Sequence, residues 1–272
     1  MTKTYSTTGQ YELSGFCYDR VNDRIWAIDD GGQVIEFTSS GTFVAAYASV
    51  GFDSEAICTV DDRPDFLYIL RESSGGGGQR GDIQEWSKST HALVSSRTFA
   101  FPTDMPAGMG GSSEEGLTYI NADANYHGRF IVMNQTDGDL YFLIPDFSNA
   151  TLTYEGKVTL SLGSNDGSDI NDLGDGTVIV NYDAQNLLFR IELYAGMVGQ
   201  TIDTSSSHVI ESWTVPSTNP PGDLEASVVM RKWVSLASGV AAEVNTLFLG
   251  QDDGNGGDAY IVKDFPILAR VP

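Results

Sequence analysis

Basic residues are scarce in this chain: 15 Lys+Arg stand against 37 Asp+Glu, and the formal net charge at pH 7 is −22. A charge of this sign repels phosphate backbones and anionic lipid headgroups, so it argues against nucleic-acid binding and membrane adsorption. It favours cations or basic partners instead. We therefore expect neither a nucleic acid nor a membrane among the partners.

Long apolar runs are also missing, since none approaches the roughly 18 residues of a membrane span. The first residues, MTKTYSTTGQYEL, lack the basic-then-apolar layout of a secretory signal, so we expect either that the chain is not exported by the usual route or that a signal has been removed. Cys17 and Cys58 are the only cysteines, which excludes a disulfide framework and a cysteine-based zinc site. Without an export signal, we expect both cysteines to be free, buried thiols.

Glycine and aromatic residues are abundant, with 30 Gly, 13 Phe and 12 Tyr, a composition that favours short strands joined by turns. One unit recurs: a polar or acidic residue, a small residue and an apolar strand. Its clear copies begin near Ser14, Glu55, Glu115 and Glu225, and a degenerate copy contains Asn171 and Asp172. Each copy is followed by a second apolar strand, a turn and further strands.

Four-stranded meanders at a period of about 40 to 60 residues are typical of a β-propeller. The sequence therefore predicts an all-β, single-domain propeller of five four-stranded blades. The predicted blades are 9–50, 51–105, 106–160, 161–215 and 216–272. The fifth has no fourth strand of its own, so residues 3–6 or 267–271 are the candidates to close the ring. A β-sandwich with coincidental repetition is the alternative.

The segments ELSGFCYDRVNDRIWAIDDGGQVIEF (12–37) and SEEGLTY (113–119) resemble the bacterial SdiA-regulated β-propeller family. That family repeats an LSGLxYD…LWxVxDxxxxIxEL unit and an xEGLxY unit. DSEAICTV (53–60) and DLEASVV, from residue 223, are similar to drifted copies. The resemblance implies a propeller with a bound divalent cation, Ca²⁺ first, and implies little about activity. The chain departs from the pattern in its fourth unit, where Asn171-Asp172 replaces Glu-Gly.

The first strand of each blade lines the channel of a propeller, so equivalent side chains converge on the axis. Oxygen ligands favour Ca²⁺, or Mg²⁺, over zinc. We therefore predict a metal site, with a possible outer ring at the ends of the second strands: Asp30, Glu72, Gln135, Asp183 and Asp252. The predicted metal ligands are Glu55, Glu115, Asn171, Glu225 and Asp252, with Ser14 completing the inner ring. In the alternative, these side chains cap backbone N–H groups and join the blades without metal.

The sequence contains no G-x-S-x-G, no H-E-x-x-H and no P-loop, and its three histidines show no mutual spacing. We therefore expect a non-enzymatic, cation-stabilised binding or structural module whose partners are other protein subunits of a larger assembly. A virion accessory protein of a phage or virus (decoration, tail or fibre) is one specific form. The main alternative is a metal-dependent hydrolase of a lactone or phosphoester at the channel mouth, and a lectin-like propeller is a third.

Overall fold

Short strands separated by tight turns form throughout the chain, because Gly residues supply the positive φ that hairpin turns need. Gly32 and Gly138, in the turns after two of the second strands, have φ of 76° and 68°. The computed structural model describes residues 2–6, 13–51, 53–72, 81–106, 114–121, 128–162, 167–182, 186–194, 196–215, 223–235, 241–252, 258–263 and 265–267.

The strands form five antiparallel four-stranded sheets, the blades of a propeller. Blade 1 comprises β2 (Leu13–Asp19), β3 (Arg24–Asp29), β4 (Val34–Thr38) and β5 (Phe43–Ala46). Blade 2 comprises β6 (Ser54–Thr59), β7 (Phe66–Arg71), β8 (Asp82–Ser87) and β9 (Ala92–Ala100). Blade 3 comprises β10 (Glu114–Ile120), β11 (Arg129–Asn134), β12 (Leu140–Asp146) and β13 (Thr151–Ser161).

Blade 4 comprises β14 (Gly167–Asp172), β15 (Thr177–Tyr182), β16 (Leu187–Glu192) and β18 (Val209–Thr214). Blade 5 comprises β19 (Asp223–Ser235), β20 (Ala241–Asp252), β21 (Asp258–Lys263) and, as its outer strand, β1 (Thr2–Ser6). Of the two terminal segments considered from the sequence, the N-terminal one therefore completes the fifth sheet. The short β17 (Thr201–Asp203) adds a fifth strand, parallel to β13, at the outer side of blade 3.

The sheets are arranged radially, with the first strand of each at the centre. The inner strands contact one another in a closed ring: β2 with β6, β6 with β10, β10 with β14, β14 with β19, and β19 with β2. The all-β, five-bladed propeller predicted from the repeat is confirmed. We call the end of the channel where the inner strands begin the upper mouth, and the end where they finish the lower mouth.

The apolar core consists of separate clusters, each lying between two neighbouring blades. Between blades 1 and 2, for example, Trp26 packs edge-on against Trp86 with 5.8 Å between ring centroids. Second strands such as β3 and β7 are buried along nearly their whole length, which explains their nearly continuous apolar sequences, whereas outer strands such as β5 are largely exposed. In the described part of the chain, no helix is long and apolar enough to cross a membrane.

Candidate metal centre

Each inner strand has the same irregularity near its start. The pairing with the second strand skips one residue in every blade, leaving an extra residue between Leu13 and Gly15 in blade 1 and at the matching place in the others. Such bulges re-aim a side chain. The bulged residues, all at one level below the upper mouth, are Ser14, Glu55, Glu115, Ser168 and Glu225.

The small residue that follows the bulge is required by the closeness of neighbouring inner strands. A Cβ added to Gly15 would lie 2.7 Å from the Cα of Ala56 in the next blade, and one added to Gly116 would lie 2.9 Å from the backbone nitrogen of Ile170. A larger side chain at either glycine would clash with backbone. The recurring polar-then-small pattern in the sequence therefore records a bulge and a close approach of two blades.

The fourth blade corrects one prediction. The pairing of β14 with β15 places Ser168 at the bulge and Asp169 after it, so Asn171, predicted to join the inner ring, lies three residues further along the strand. Its side-chain amide donates to Asp169 Oδ2 at 3.0 Å and to the backbone carbonyl of Ser227. Asn171 thus connects blades 4 and 5. The repeat was assigned to the wrong residues of blade 4 because the Asn171-Asp172 pair resembles the polar-then-small pattern but has no bulge.

Glu55 and Glu115, two of the predicted ligands, lie side by side at the upper mouth. Their carboxyl groups are in hydrogen-bonding contact, so either a proton or a cation must lie between them. Burial and the negative charges of Glu115, Asp53 and Glu72 raise the pKa of Glu55 to about 11. This part of the predicted convergence is therefore present in the structure.

The other two predicted ligands are less closely described. Glu225 occupies the equivalent bulge of blade 5 and is half-buried. Asp252 ends β20 opposite Asp223, and its side chain lies outside the described residues. Of the predicted outer ring, Asp30 and Glu72 join the cluster at Glu55, whereas Gln135 makes no contact with it that the structure describes and Asp183 lies outside the described residues.

Asp30, Asp53 and Glu55 form the tightest group. Each offers one carboxylate oxygen, and these oxygens all lie within 4.8 Å of one another. Asp30 follows β3 of blade 1, while Asp53 immediately precedes β6 of blade 2. Asp53 was missed by the sequence reasoning, although its position two residues before Glu55 was a usable signal, because side chains two apart in an extended chain point the same way.

Glu72 extends the group towards blade 3. Burial and the charges of Glu115 and Asp53 raise its pKa to about 8, and its side chain is hydrogen bonded to Asp53. We name Asp30, Asp53, Glu55, Glu72 and Glu115 the acidic cluster. Carboxylates this close either share protons or require a cation between them.

The donor set suits a hard cation. All candidate ligands are carboxylate oxygens, which Ca²⁺ and Mg²⁺ prefer. The three oxygens all lie within 4.8 Å of one another, so a single hard cation can contact all three. Asp30 and Asp53 are exposed while Glu55 is half-buried, so an ion here would be held from the protein side with its outer face towards solvent.

In blade 4, Asp169 directly follows the bulge and carries a fully buried carboxyl group. It accepts hydrogen bonds from the backbone N–H of Ile170 and of Ser227, each at 2.8 Å, and from that of Phe16. Burial raises its pKa well above the usual value for an aspartate. Because these donors belong to blades 4, 5 and 1, Asp169 joins three inner strands across the axis.

Arg20 covers the lower mouth. Its guanidinium lies 3.1 Å from Asp172 Oδ2 in blade 4 and 3.9 Å from Asp61 Oδ2 in blade 2. Behind it is a cavity of about 20 Å³, room for about one water molecule, whose lining includes Cys17, Cys58 and Thr118. Both cysteines are free and buried. Arg20 therefore lines the same small cavity as the two thiols.

The described histidines do not belong to the acidic cluster. His91 lies in the turn before β9, and its ring is tilted against that of Tyr47 with 4.1 Å between ring centroids. His208 stacks on Tyr194 and contacts Glu192 at 3.2 Å, just before the outer strand β18. His127 lies outside the described residues. Neither described histidine is therefore placed to act as a base on water bound at the acidic cluster.

No family model and no curated protein matches the sequence. Among solved structures, the chain is similar to "glucose dehydrogenase" with a TM-score of 0.47 and 11% identity, covering 96% of this chain and 98% of that one. It is also similar to "Structure of U3-55K" with a TM-score of 0.45 and 9% identity. That match covers 96% of this chain, which spans 64% of the other. Because both identities and both TM-scores are low, the assignment of the blades rests on the strand order of this chain alone.

Proposed function

We propose that this protein is a cation-stabilised β-propeller that binds Ca²⁺ at the acidic cluster and serves as a non-enzymatic binding or structural module among other protein subunits. The observation that carries the cation proposal is the grouping of the Asp30, Asp53 and Glu55 oxygens within 4.8 Å. The triad joins blade 1 to blade 2, and the contact of Glu55 with Glu115 continues it into blade 3.

A cation would change the energetics of the upper mouth. Without one, the cluster must hold protons to avoid repulsion between carboxylates. With Ca²⁺ bound, the same side chains become ligands and attract three blades to a common centre. Binding to the folded but not the unfolded chain stabilises it by about 2.7 kcal/mol when the free ion is at 100 times its dissociation constant.

The resemblance of residues 12–37 and 113–119 to the SdiA-regulated propellers supports the same proposal, since that family implies a divalent cation. The net charge of −22 is suited to a component of a larger particle in which cations or basic subunits neutralise the acidic surface. A virion accessory role is the specific form of this proposal. It predicts that the protein co-purifies with particles of the assembly and is present in many copies.

The experiment is Ca²⁺ titration by calorimetry of the protein stripped with EDTA, repeated with Mg²⁺. We expect one strong Ca²⁺ site that Asp53→Asn and Glu55→Gln each weaken at least tenfold, the loss expected when one charged ligand is removed. Asp62→Asn is the matched control, because Asp62 is exposed in the turn at the other end of β6. Equal binding by all variants, or none by the parent, would refute the site.

The alternative, a metal-dependent hydrolase, draws on the exposure of Asp30 and Asp53, which leaves the solvent side of an ion open for water or substrate. It is tested with panels of lactones and phosphodiesters in Ca²⁺ and in EDTA. Turnover that EDTA and Glu55→Gln both abolish would replace the binding role with catalysis. Inactivity across both panels would support the non-enzymatic module.

A further inference from the structure

The outer edge of blade 1 differs from the rest of the surface. In the described part of the chain, the large apolar side chains that are exposed are Val21 (54%), Phe43 (41%) and Val44 (47%). Phe43 and Val44 lie on β5, the outermost strand of blade 1, and Val44 is the extra residue of a bulge opposite Glu36 and Phe37. Val21 lies apart from them, in the turn between the two innermost strands.

This edge is also free of charge. Residues 37–52 contain no Asp, Glu, Lys or Arg, and no longer run without them occurs in the sequence. Native sheets protect exposed edges with charged residues, with short or bulged strands, or with a covering element. The other outer strands follow that rule: β1 contains Lys3, β9 contains Arg97, β18 contains Glu211, and β17 covers the end of β13. Strand β5 has a bulge and short length but no charge.

We propose that the outer edge of blade 1, residues 43–46, is a self-association surface that binds the same edge of a second copy about a two-fold axis. The net charge of −22 makes two copies repel each other wherever charged surfaces face. The uncharged edge is where that repulsion is smallest and where apolar side chains gain from burial. A basic partner would instead bind the acidic surfaces.

A two-fold arrangement needs only one self-complementary patch, and β5 supplies it. A four-residue strand offers less than the roughly 1,000 Å² of a stable interface, so we expect a weak dimer that forms with rising concentration. Salt should strengthen the dimer by screening the remaining repulsion between the acidic copies. The proposal depends on β5 alone and is independent of the cation site, so either can fail without the other.

The test is sedimentation velocity from about 5 μM to about 500 μM in EDTA, which keeps the cation site out of the measurement. We expect the weight-average mass to rise towards a dimer, and the dissociation constant to fall by roughly fivefold between about 0.15 M and 0.5 M salt. Val44→Lys should raise that constant at least tenfold. Hydrogen exchange should slow at β5 as the concentration rises.

Val21→Lys is the matched control, since it makes the same chemical change at a side chain that is more exposed but away from the edge. It should dimerise like the parent. Circular dichroism and thermal melting of both variants establish that each is folded. A monomer at every concentration and salt would overturn the proposal, as would a dimer that both lysine variants weaken equally or that salt dissociates.

Discussion

Glu55 and Asp169 lie at nearly the same level of the channel, Glu55 at the bulge of blade 2 and Asp169 one position after the bulge of blade 4. Their surroundings are opposite. Glu55 faces the carboxyl groups of Glu115, Asp53 and Glu72, while Asp169 receives backbone N–H groups from three blades. The neighbouring groups, not the position in the channel, therefore decide whether an inward-facing acid needs a counter-ion.

The largest effect should come from removing Asp169, whose carboxyl group already accepts hydrogen bonds from the protein backbone. Asp169→Ala leaves the N–H groups of Phe16, Ile170 and Ser227 without their acceptor in a buried site, so we expect it to lower the free energy of unfolding by about 3–5 kcal/mol. Urea denaturation measures this, with Asp62→Ala as the control. The loss should be the same with Ca²⁺ and with EDTA. A loss below about 1 kcal/mol would mean that Asp169 does not join the blades.

Removing a carboxyl group from the acidic cluster should instead stabilise the protein when no cation is bound. In EDTA at neutral pH, Glu55→Gln removes the cost of keeping a proton on the Glu55 carboxyl group, whose pKa is raised to about 11. It should therefore raise the free energy of unfolding by at least about 1 kcal/mol, because one unit of pKa difference corresponds to about 1.4 kcal/mol.

In saturating Ca²⁺ the parent should be more stable than the Glu55→Gln variant. The parent should melt about 5–10 °C higher than in EDTA, and the variant should hardly change. A Glu55→Gln variant that is less stable than the parent in EDTA would contradict the unbalanced cluster.

The pH dependence of stability provides a further test of the acidic cluster. Because the pKa of Glu72 is raised to about 8 and that of Glu55 to about 11, the folded chain keeps protons that the unfolded chain releases above about pH 4.3. The free energy of unfolding in EDTA should therefore fall as the pH rises from about 4.5 to 8.

Denaturation at pH 5, 6.5 and 8 measures this slope. Ca²⁺ should flatten it by replacing the protons, and Glu72→Gln should reduce it. Burial raises the pKa of Asp29 to about 6. Asp29 should therefore add to the decrease in the free energy of unfolding between about pH 4 and pH 6, and Ca²⁺ should not remove this contribution. A slope unchanged by Ca²⁺ would show that the ion does not bind at the acidic cluster.

The smallest effect concerns the lower mouth. Arg20→Met removes the guanidinium that bridges Asp172 and Asp61 but should cost no more than about 1 kcal/mol, since the Arg20 side chain is partly exposed and water can replace its contact with the buried Asp172. It should expose Cys17 and Cys58, speeding their reaction with a thiol reagent at least tenfold. Arg24→Met, which breaks the exposed pair with Glu36, is the control. Equal labelling rates would show that Arg20 does not close the channel.

Much of the fold followed from the sequence because the signals were local. Apolar runs such as Ile25–Ile28 and Leu67–Leu70, each followed by a turn, identify second strands that are buried on both faces. The small residue at Gly15 and Gly116 recorded the contact between inner strands. Glu55 and Glu115 were found because they precede such a small residue, and the bulge aims both towards the axis.

The rest of the site depended on contacts that no local pattern encodes. Asp30 and Asp53 are brought together by the packing of blade 1 on blade 2. The bulge of blade 4 at Ser168 became visible only through the pairing of β14 with β15, since Asn171 and Asp172 look more like the repeat than Ser168 and Asp169 do.

The sequence alone determined the number of sheets, the order of their strands and the excess of acid, because strand, turn and charge are properties of short segments. Tertiary structure alone decided which acids meet carboxylates and which meet backbone N–H groups. Those encounters depend on how neighbouring blades pack, and the electrostatic state of a carboxyl group depends on every group within a few ångströms of it.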